Sequence, residues 1–592
     1  MLYPIPQKES YSENTYTLKN DFTSCKLVEF FKFFKHGNDE VKLNTNKLLG
    51  KEEYSISINE NGVLVTSSCD EGLYRALTSL WQLIRKQNGK LRHCLIEDKP
   101  QFERRGYMLD ISRCRMPKVN EIKKLIDFLS SLKYNEFQLY MEGECFKYSN
   151  YPKYTEDFDC LTPEDIRDLD AYCRERFIDL VPNQNSFGHM EIWLKHDEFK
   201  HLALCAEGEI GNTINPLLKE SLEFVDGLYE SLLPNFTSEY VNIGLDEAYG
   251  LGKFQMEEYC KKYGKDIAFI EWLSKLDKLS KEKYGKKVMF WADMVFNSDN
   301  VFDMIPEGAV AMEWGYELIQ SQLMTEHCMK YKEANLNYYV CPSTNTHMSF
   351  TGRSDVTTFN IRTAAEIGAK FGAKGLMLTD WGCGEGHPHF GVWSFVPAAL
   401  AGQYAWNVGE AQNGENFKYE FIHGAEEYVD EMFFGGAEVS KLMYRMSNYY
   451  LLEPERVHLG SMCGLLFKKP LSEANYAGFC NLKPTGDIFY FDNVSNYVKS
   501  IIKDIEKVDF DMQLKREILL NSRMVILSSE TCKLRLGYKL SDEALNELIE
   551  EIDFISREYY DLWCKRNYEK GVEDFLEQLK LKRNEILELK TN

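Results

Sequence analysis

The chain has 592 residues, 44% hydrophobic and 27% charged, ordinary globular values that exclude collagen-like, coiled-coil and disordered classes. Seventy basic against 92 acidic side chains give a net charge of −22, which repels nucleic acid and anionic membranes and leaves a small neutral molecule as the better partner. No apolar run is long enough to span a membrane, the first residues lack the regions of a signal peptide, and sixteen scattered Cys without a CxxC pair read as core residues of a reducing compartment. A cytoplasmic protein is expected.

Residues 1–100 carry the signals of a small α+β domain. Tyr54, Ile56 and Ile58 alternate with polar residues, and Asn61-Gly62 offers a hairpin turn before Val63 and Val65. Asp70 and Glu71 then open a run in which Leu73, Leu77, Leu80, Trp81 and Ile84 share one helical face, which predicts a helix covering the sheet.

Over residues 101–408 eight short apolar or β-branched runs alternate with stretches that can hold helices. They are Gly106–Ile111, Asn135–Met141, Ile178–Asn183, Tyr240–Leu245, Lys287–Trp291, Ala309–Trp314, Asn337–Cys341 and Gly375–Thr379. This pattern predicts an α/β fold, a (β/α)8 TIM barrel, with only a turn or two of helix between the fifth and sixth strands. The site of such a barrel is built from the carboxyl ends of its strands. Here those ends hold Glu142, Asn183, Asp246-Glu247, Trp291 with Asp293, Glu313-Trp314, Asn345 and Asp380-Trp381, a convergence that a purely structural barrel does not need.

Residues 409–592 are expected to form an α-helical C-terminal domain. No proline follows Pro484, and Ser541 can cap a helix with Leu545, Leu548, Ile549, Ile552 and Ile555 on one face.

Asp246 and Glu247 are the focus. Neighbouring acids at a strand end suit a metal site, a glycosidase or a solvated turn. In regular extended backbone they point to opposite faces, so they cannot readily flank one scissile bond. They suit a division of labour in which Glu247 reaches a leaving oxygen while Asp246 supports a group within the substrate.

At these residues the chain resembles the glycoside hydrolase family 20 β-N-acetylhexosaminidases, over roughly residues 50–408. Asn242-Ile243-Gly244-Leu245-Asp246-Glu247 is similar to the family's H-x-G-G-D-E motif, Arg105-Gly106 with Leu109-Asp110-Ile111-Ser112-Arg113 to its first-strand motif, and Val181-Pro182-Asn183 through Gly188-His189 to its third-strand segment. Asn242 and Leu245 depart from the motif. The resemblance implies an exo-acting, retaining enzyme that removes terminal β-linked GlcNAc, or GalNAc, by substrate-assisted catalysis, with Asp246 holding the 2-acetamido group and Glu247 as acid/base. It also implies that Arg105 binds sugar hydroxyls; Glu142 and Asp380 are expected to do so as well, because charged groups make strong bonds to sugar OH groups. Trp291, Trp314 and Trp381 are expected to wall the pocket, with Asp293 beside them and His189 tying an acid in place. Tyr339 is a candidate for the acetamide-binding tyrosine, with a core role equally open.

Burial beside Asp246 is expected to raise the pKa of Glu247. Asp110 is expected to be a structural partner of Arg113. His387-Pro388-His389, near Glu385, reads as part of a loop over the pocket, so neither metal nor cofactor is expected. The expected partner is a small oligosaccharide or glycoconjugate, not nucleic acid or membrane, and a homodimer is a candidate assembly. Two alternatives are a two-carboxylate glycosidase of another barrel family, pairing Glu142 or Glu313 with Glu247, and a non-catalytic amino-sugar-binding protein.

Overall fold

The computed structural model describes residues 2–591 except 296–300, 385, 410–413, 474, 477–479 and 482–486, so Glu385 lies outside the described residues. Five strands, β1 (Lys8–Thr17), β2 (Val41–Thr45), β3 (Tyr54–Asn59), β4 (Gly62–Ser67) and β5 (Lys90–Asp98), form a sheet in the order β1-β5-β3-β4-β2. The expected hairpin is β3 and β4. Asn59 pairs with Gly62, so Glu60 and Asn61 make the turn, one residue earlier than anticipated. Alternation gives this sheet an apolar face, Tyr54, Ile56, Ile58, Val63 and Val65, which is buried against Leu73, Leu77, Leu80 and Ile84 of the helix Asp70–Lys86.

The eight predicted runs are the strands β6 (Arg104–Asp110), β7 (Glu136–Met141), β8 (Asp179–Gln184), β9 (Tyr240–Asn242), β10 (Lys287–Trp291), β11 (Val310–Trp314), β12 (Asn337–Cys341) and β13 (Gly375–Asp380). They pair in parallel in chain order and β13 closes on β6, a (β/α)8 barrel. The largest departure is at β9, which stops at Asn242 because Gly244 (φ 74°) and Leu245 (φ 85°) leave extended backbone. Between β10 and β11 the described residues hold only a short helical turn, Phe302–Met304. Inward-facing Met108, Val181, Met289, Met312 and Met377 fill the barrel, while outward-facing Tyr107, Leu109, Phe137 and Leu139 pack under the surrounding helices.

Four long C-terminal helices, Asp487–Lys507, Met512–Arg535, Asp542–Arg566 and Val572–Thr591, share one core with the outside of the barrel. Ser541 caps the third, accepting the Ala544 N–H at 3.3 Å, and Leu545, Ile549, Ile552 and Ile555 form its buried face with Leu548 half-buried. Backbone bonds from Lys118 to Arg566 and from Tyr568 to Met116 hold this region against the segment that follows β6.

The N-terminal sheet is fastened to the opposite end of the barrel by buried charge. Glu52 lies between Arg75 (2.7 Å) and Arg105, with which it forms a short ion pair, and Lys133 reaches Asp98 at 3.0 Å and the Tyr54 hydroxyl at 2.8 Å. Arg105 is therefore not a sugar ligand. It sits at the start of β6, buried, and also donates to the Lys133 and Phe102 carbonyls at 2.9 Å.

Candidate active site

Beyond Asn242 the chain turns through three residues with positive φ, Gly244, Leu245 and Glu247 (48°). Outside glycine this conformation is costly and is commonly met at functional sites. Two glycines let the loops close in. A Cβ on Gly244 would lie 2.2 Å from Asn185 Oδ1, and one on Gly188 would lie 2.1 Å from the Asp246 carbonyl oxygen. Asn242, standing where the motif has His, accepts the Gly244 N–H at 3.0 Å and donates to Gln138 at 3.2 Å, and Asn183 donates to the same Gln138 oxygen at 2.9 Å. This buried amide network supports the turn from below.

The turn delivers both acids to one side. His189 (φ 54°) places Nε2 at 3.3 Å from Asp246 and 3.2 Å from Glu247, with Nδ1 at 3.7 Å from Glu142. These are ion-pair distances; His189 Nε2 meets no hydrogen-bond geometry. Burial alone would lower the His189 pKa, but Asp246 and Glu247 outweigh it and hold the ring as imidazolium. Asp246 is buried, and its Oδ1 has no hydrogen-bond partner among the described residues.

The expected rise at Glu247 does not occur. Burial pushes its carboxyl up, but the imidazolium of His189 outweighs burial and holds it below the usual range. The rise falls on Asp293, whose pKa burial, and then the charge of Asp246, push up to about 7. Both Asp293 oxygens are occupied from within the protein, Oδ2 by the Glu247 N–H at 3.1 Å and Oδ1 by the Trp314 indole N–H at 3.3 Å.

Arg113, beyond the carboxyl end of β6, stands where Arg105 was expected. Its Nη2 lies 2.9 Å from Glu142, its Nη1 donates to Asp110 at 3.3 Å, and its guanidinium covers the rings of Tyr140 and Trp381 at 5.2 and 5.0 Å. Asp110 is a structural partner here, capping Ser112 and Arg113 and accepting the Gly382 N–H at 2.9 Å. Glu142 also accepts the Tyr140 hydroxyl at 2.9 Å. Aromatic rings complete the enclosure: Trp381 lies 5.9 Å from Trp291 and 4.7 Å from Tyr140, Trp314 stacks on Tyr316 at 5.2 Å, and Trp381 donates to the Tyr316 hydroxyl at 2.7 Å.

Three further expected residues lie elsewhere. Asp380 points out of the barrel, where Tyr107 (2.7 Å), Ser394 (3.0 Å), Thr344 (3.1 Å), Thr346 (3.3 Å) and Arg115 (3.4 Å) occupy its carboxylate. Tyr339 lies low in the barrel, its hydroxyl 3.2 Å from Glu136, which pairs with Arg104 at the start of β6. Glu313 also faces outward, bound to His327 at 2.7 Å and Tyr331 at 3.0 Å. Tyr140, Tyr316 and the site role of Arg113 were not among the expected features. The strand-end rule that picks out the acids also picks out Arg113 and Tyr316, two or three residues past β6 and β11.

Paired acids and a cluster of aromatic rings thus stand together at the carboxyl end of a (β/α)8 barrel, where the sites of such barrels are built. Residues 102–365 match the glycosyl hydrolase family 20 catalytic domain and residues 32–99 match domain 2 of the same family. Among curated proteins, a β-hexosaminidase of Vibrio furnissii is 26% identical over 256 residues, 37% of this chain and 42% of that protein. β-Hexosaminidase A of Caenorhabditis elegans is 27% identical over 279 residues, 42% of this chain and 49% of that protein. The chain thus spans less than half the length of these relatives. Among solved structures, a family 20 exo-β-N-acetylglucosaminidase of Vibrio harveyi matches with a TM-score of 0.58 and 19% identity over 73% of this chain and 77% of that one. A Flavobacterium johnsoniae chitobiase has a TM-score of 0.60 and 17% identity over 98% and 99%. The chain belongs to glycosyl hydrolase family 20.

Proposed function

We propose that this chain is an exo-acting, retaining β-N-acetylhexosaminidase that removes terminal β-linked GlcNAc or GalNAc by substrate-assisted catalysis. The observation that carries this reading is Asp246, a buried carboxylate whose Oδ1 has no partner among the described residues, held beside Glu247 by His189 at the barrel end that also carries Trp291, Trp314 and Trp381. A buried anion with a free acceptor suits an amide N–H next to a developing positive charge.

In the first step the acetamide oxygen attacks the anomeric carbon as its bond to the leaving oxygen breaks, and Glu247 delivers a proton to that oxygen. Asp246 accepts the acetamide N–H and stabilises the oxazolinium charge. Water, losing a proton to Glu247, then displaces the acetamide oxygen from the anomeric carbon, with net retention. The Glu247 side chain is 37% exposed, and a bound sugar strips its solvent and raises its proton affinity, so that it can draw on the proton held by His189. Arg113 and Glu142, at the end of the enclosure, suit the hydroxyls of a terminal ring, and Tyr316 offers a hydroxyl to the acetamide. The two-carboxylate alternative has little support, because Glu313 faces away and Glu142 is tied to Arg113.

The chain is read as three domains, with divisions near residues 100 and 408. Cytoplasmic residence remains part of this proposal, supported by fifteen described cysteines that carry free thiols; no described helix is long and apolar enough to cross a membrane.

The test is release of p-nitrophenol from the β-GlcNAc, β-GalNAc and β-glucose conjugates, beside Glu247→Gln and Asp246→Asn. Cleavage of the acetamido sugars alone, reduced about 10²–10⁴-fold in either variant, is expected. Equal cleavage of β-glucose would sink substrate assistance, and affinity for GlcNAc without turnover would favour the binding-protein alternative.

A further inference from the structure

The loop after Trp381 brings Cys383, His387 and His389 together. One donor atom from each lies within 4.8 Å of the others, all three residues are buried, and the two imidazole rings are 4.0 Å apart. His387 Nε2 and both ring nitrogens of His389 have no hydrogen-bond partner among the described residues. Buried polar atoms are rarely left unmatched, and a cluster of three in one loop calls for a ligand. We propose that Cys383, His387 and His389 form a zinc site that fastens the loop behind Trp381 to the C-terminal helices.

The donor set decides the metal class. Among the described residues the donors are one thiolate and two imidazoles, a set that suits zinc and not magnesium or calcium. Tetrahedral zinc spaces its ligands about 3.3–3.7 Å apart, given Zn–N near 2.0 Å and Zn–S near 2.3 Å, so small side-chain rotations suffice. Cys383 Sγ already accepts the Met348 N–H at 3.1 Å, which fixes the sulfur's place in the loop. His387 Nδ1 receives only a long bond from the Cys383 N–H at 3.3 Å, so the ring can exchange it for a metal. Arg115 and Lys468 lie close enough to oppose added positive charge. The thiolate offsets one charge, and Asp380, 3.4 Å from Arg115, offsets another.

His389 also lines a cavity of about 290 Å³ shared with Arg115, Asp380, Phe390 and Leu514. That space can supply a water molecule as fourth ligand and a route in for the ion. Fastening is the consequence of where the loop lies. Tyr559 donates to the His387 carbonyl at 2.6 Å, and Asn521 donates to the Pro388 carbonyl at 2.7 Å and accepts the Phe390 N–H at 3.1 Å. A metal there braces the segment between a pocket wall and two helices.

The test uses the full chain, stripped with a chelator and titrated with Co²⁺. One equivalent should bind with a thiolate-to-cobalt charge-transfer band and the visible bands of a four-coordinate ion, Zn²⁺ should displace it, and Zn²⁺ should raise the melting temperature. Cys383→Ser should abolish the charge-transfer band, and His389→Gln should weaken Co²⁺ at least about tenfold. A folded wild-type chain that binds no Co²⁺ at one equivalent overturns the site, as does binding without a thiolate band. Unchanged binding in Cys383→Ser/His389→Gln overturns it too. If either variant fails to fold, the wild-type cobalt spectrum and the zinc-dependent melting shift decide.

Discussion

At Glu247 a backbone with φ of 48° and a carboxyl held down by His189 meet in one residue, anchored through its N–H by Asp293. Asp293 binds its proton more tightly in the folded chain, at about 7, than an ordinary aspartate near 4. The stability it contributes is present below about pH 4 and is lost as pH rises through 7, by about 1.4 kcal/mol for each pH unit that separates the two values. Asp293→Asn should therefore flatten the fall in stability between pH 4 and 7, read as the slope of unfolding free energy against pH in urea titrations; an unchanged slope would contradict a protonated Asp293. At this scale the sequence named positions better than directions. Both faces of a barrel strand are apolar, so periodicity did not tell which of Asp380 and Trp381 turns inward. Arg105 fails for a simpler reason: it begins its strand, and only strand ends reach the site.

The eight strands were legible as elements because β-branched and apolar runs, spaced for intervening helices, admit little else. The end of β9 was not, because extended propensity carries on through Leu245 while contacts with the third-strand loop force positive φ. Gly188 is the close-contact point between those two loops. Gly188→Ala puts a methyl 2.1 Å from the Asp246 carbonyl oxygen, so the acids must shift. A misplacement of about 1 Å is enough to lower kcat about 100-fold. That loss is expected with the fold retained by circular dichroism, whereas full activity would mean that the loops can separate without cost to the site.

Across the whole molecule, two surfaces frame the barrel. The C-terminal helices extend its core on one side, while the N-terminal sheet is joined to it through the Arg75–Glu52–Arg105 cluster. Burial pushes Glu52 up, but the two guanidinium groups outweigh it and bring its pKa to about 2. Its contribution to stability is thus complete above its ordinary value of about 4.3 and is lost as pH falls through 2. Glu52→Gln leaves two buried cations without their anion and should cost about 3–5 kcal/mol at neutral pH. It should also shallow the acid limb of the stability curve. Urea unfolding from pH 2 to 7 reads both effects, and a substitution without effect would show that the cluster is not what joins the sheet to the barrel. The hairpin of the sheet, its covering helix and the capped C-terminal helix were plain in the sequence, but this long-range triad joins residues 52, 75 and 105 and leaves no local pattern to read.

Substrate assistance makes the substrate's own acetamide the nucleophile. The most direct test is kcat/KM for p-nitrophenyl β-glucosaminides whose N-acyl group is acetyl, fluoroacetyl, difluoroacetyl or trifluoroacetyl, because each fluorine drains electron density from the attacking oxygen while changing size little. A steep, progressive fall along the series is expected. A flat series would place the nucleophile on the protein and contradict the roles given to Asp246 and Glu247.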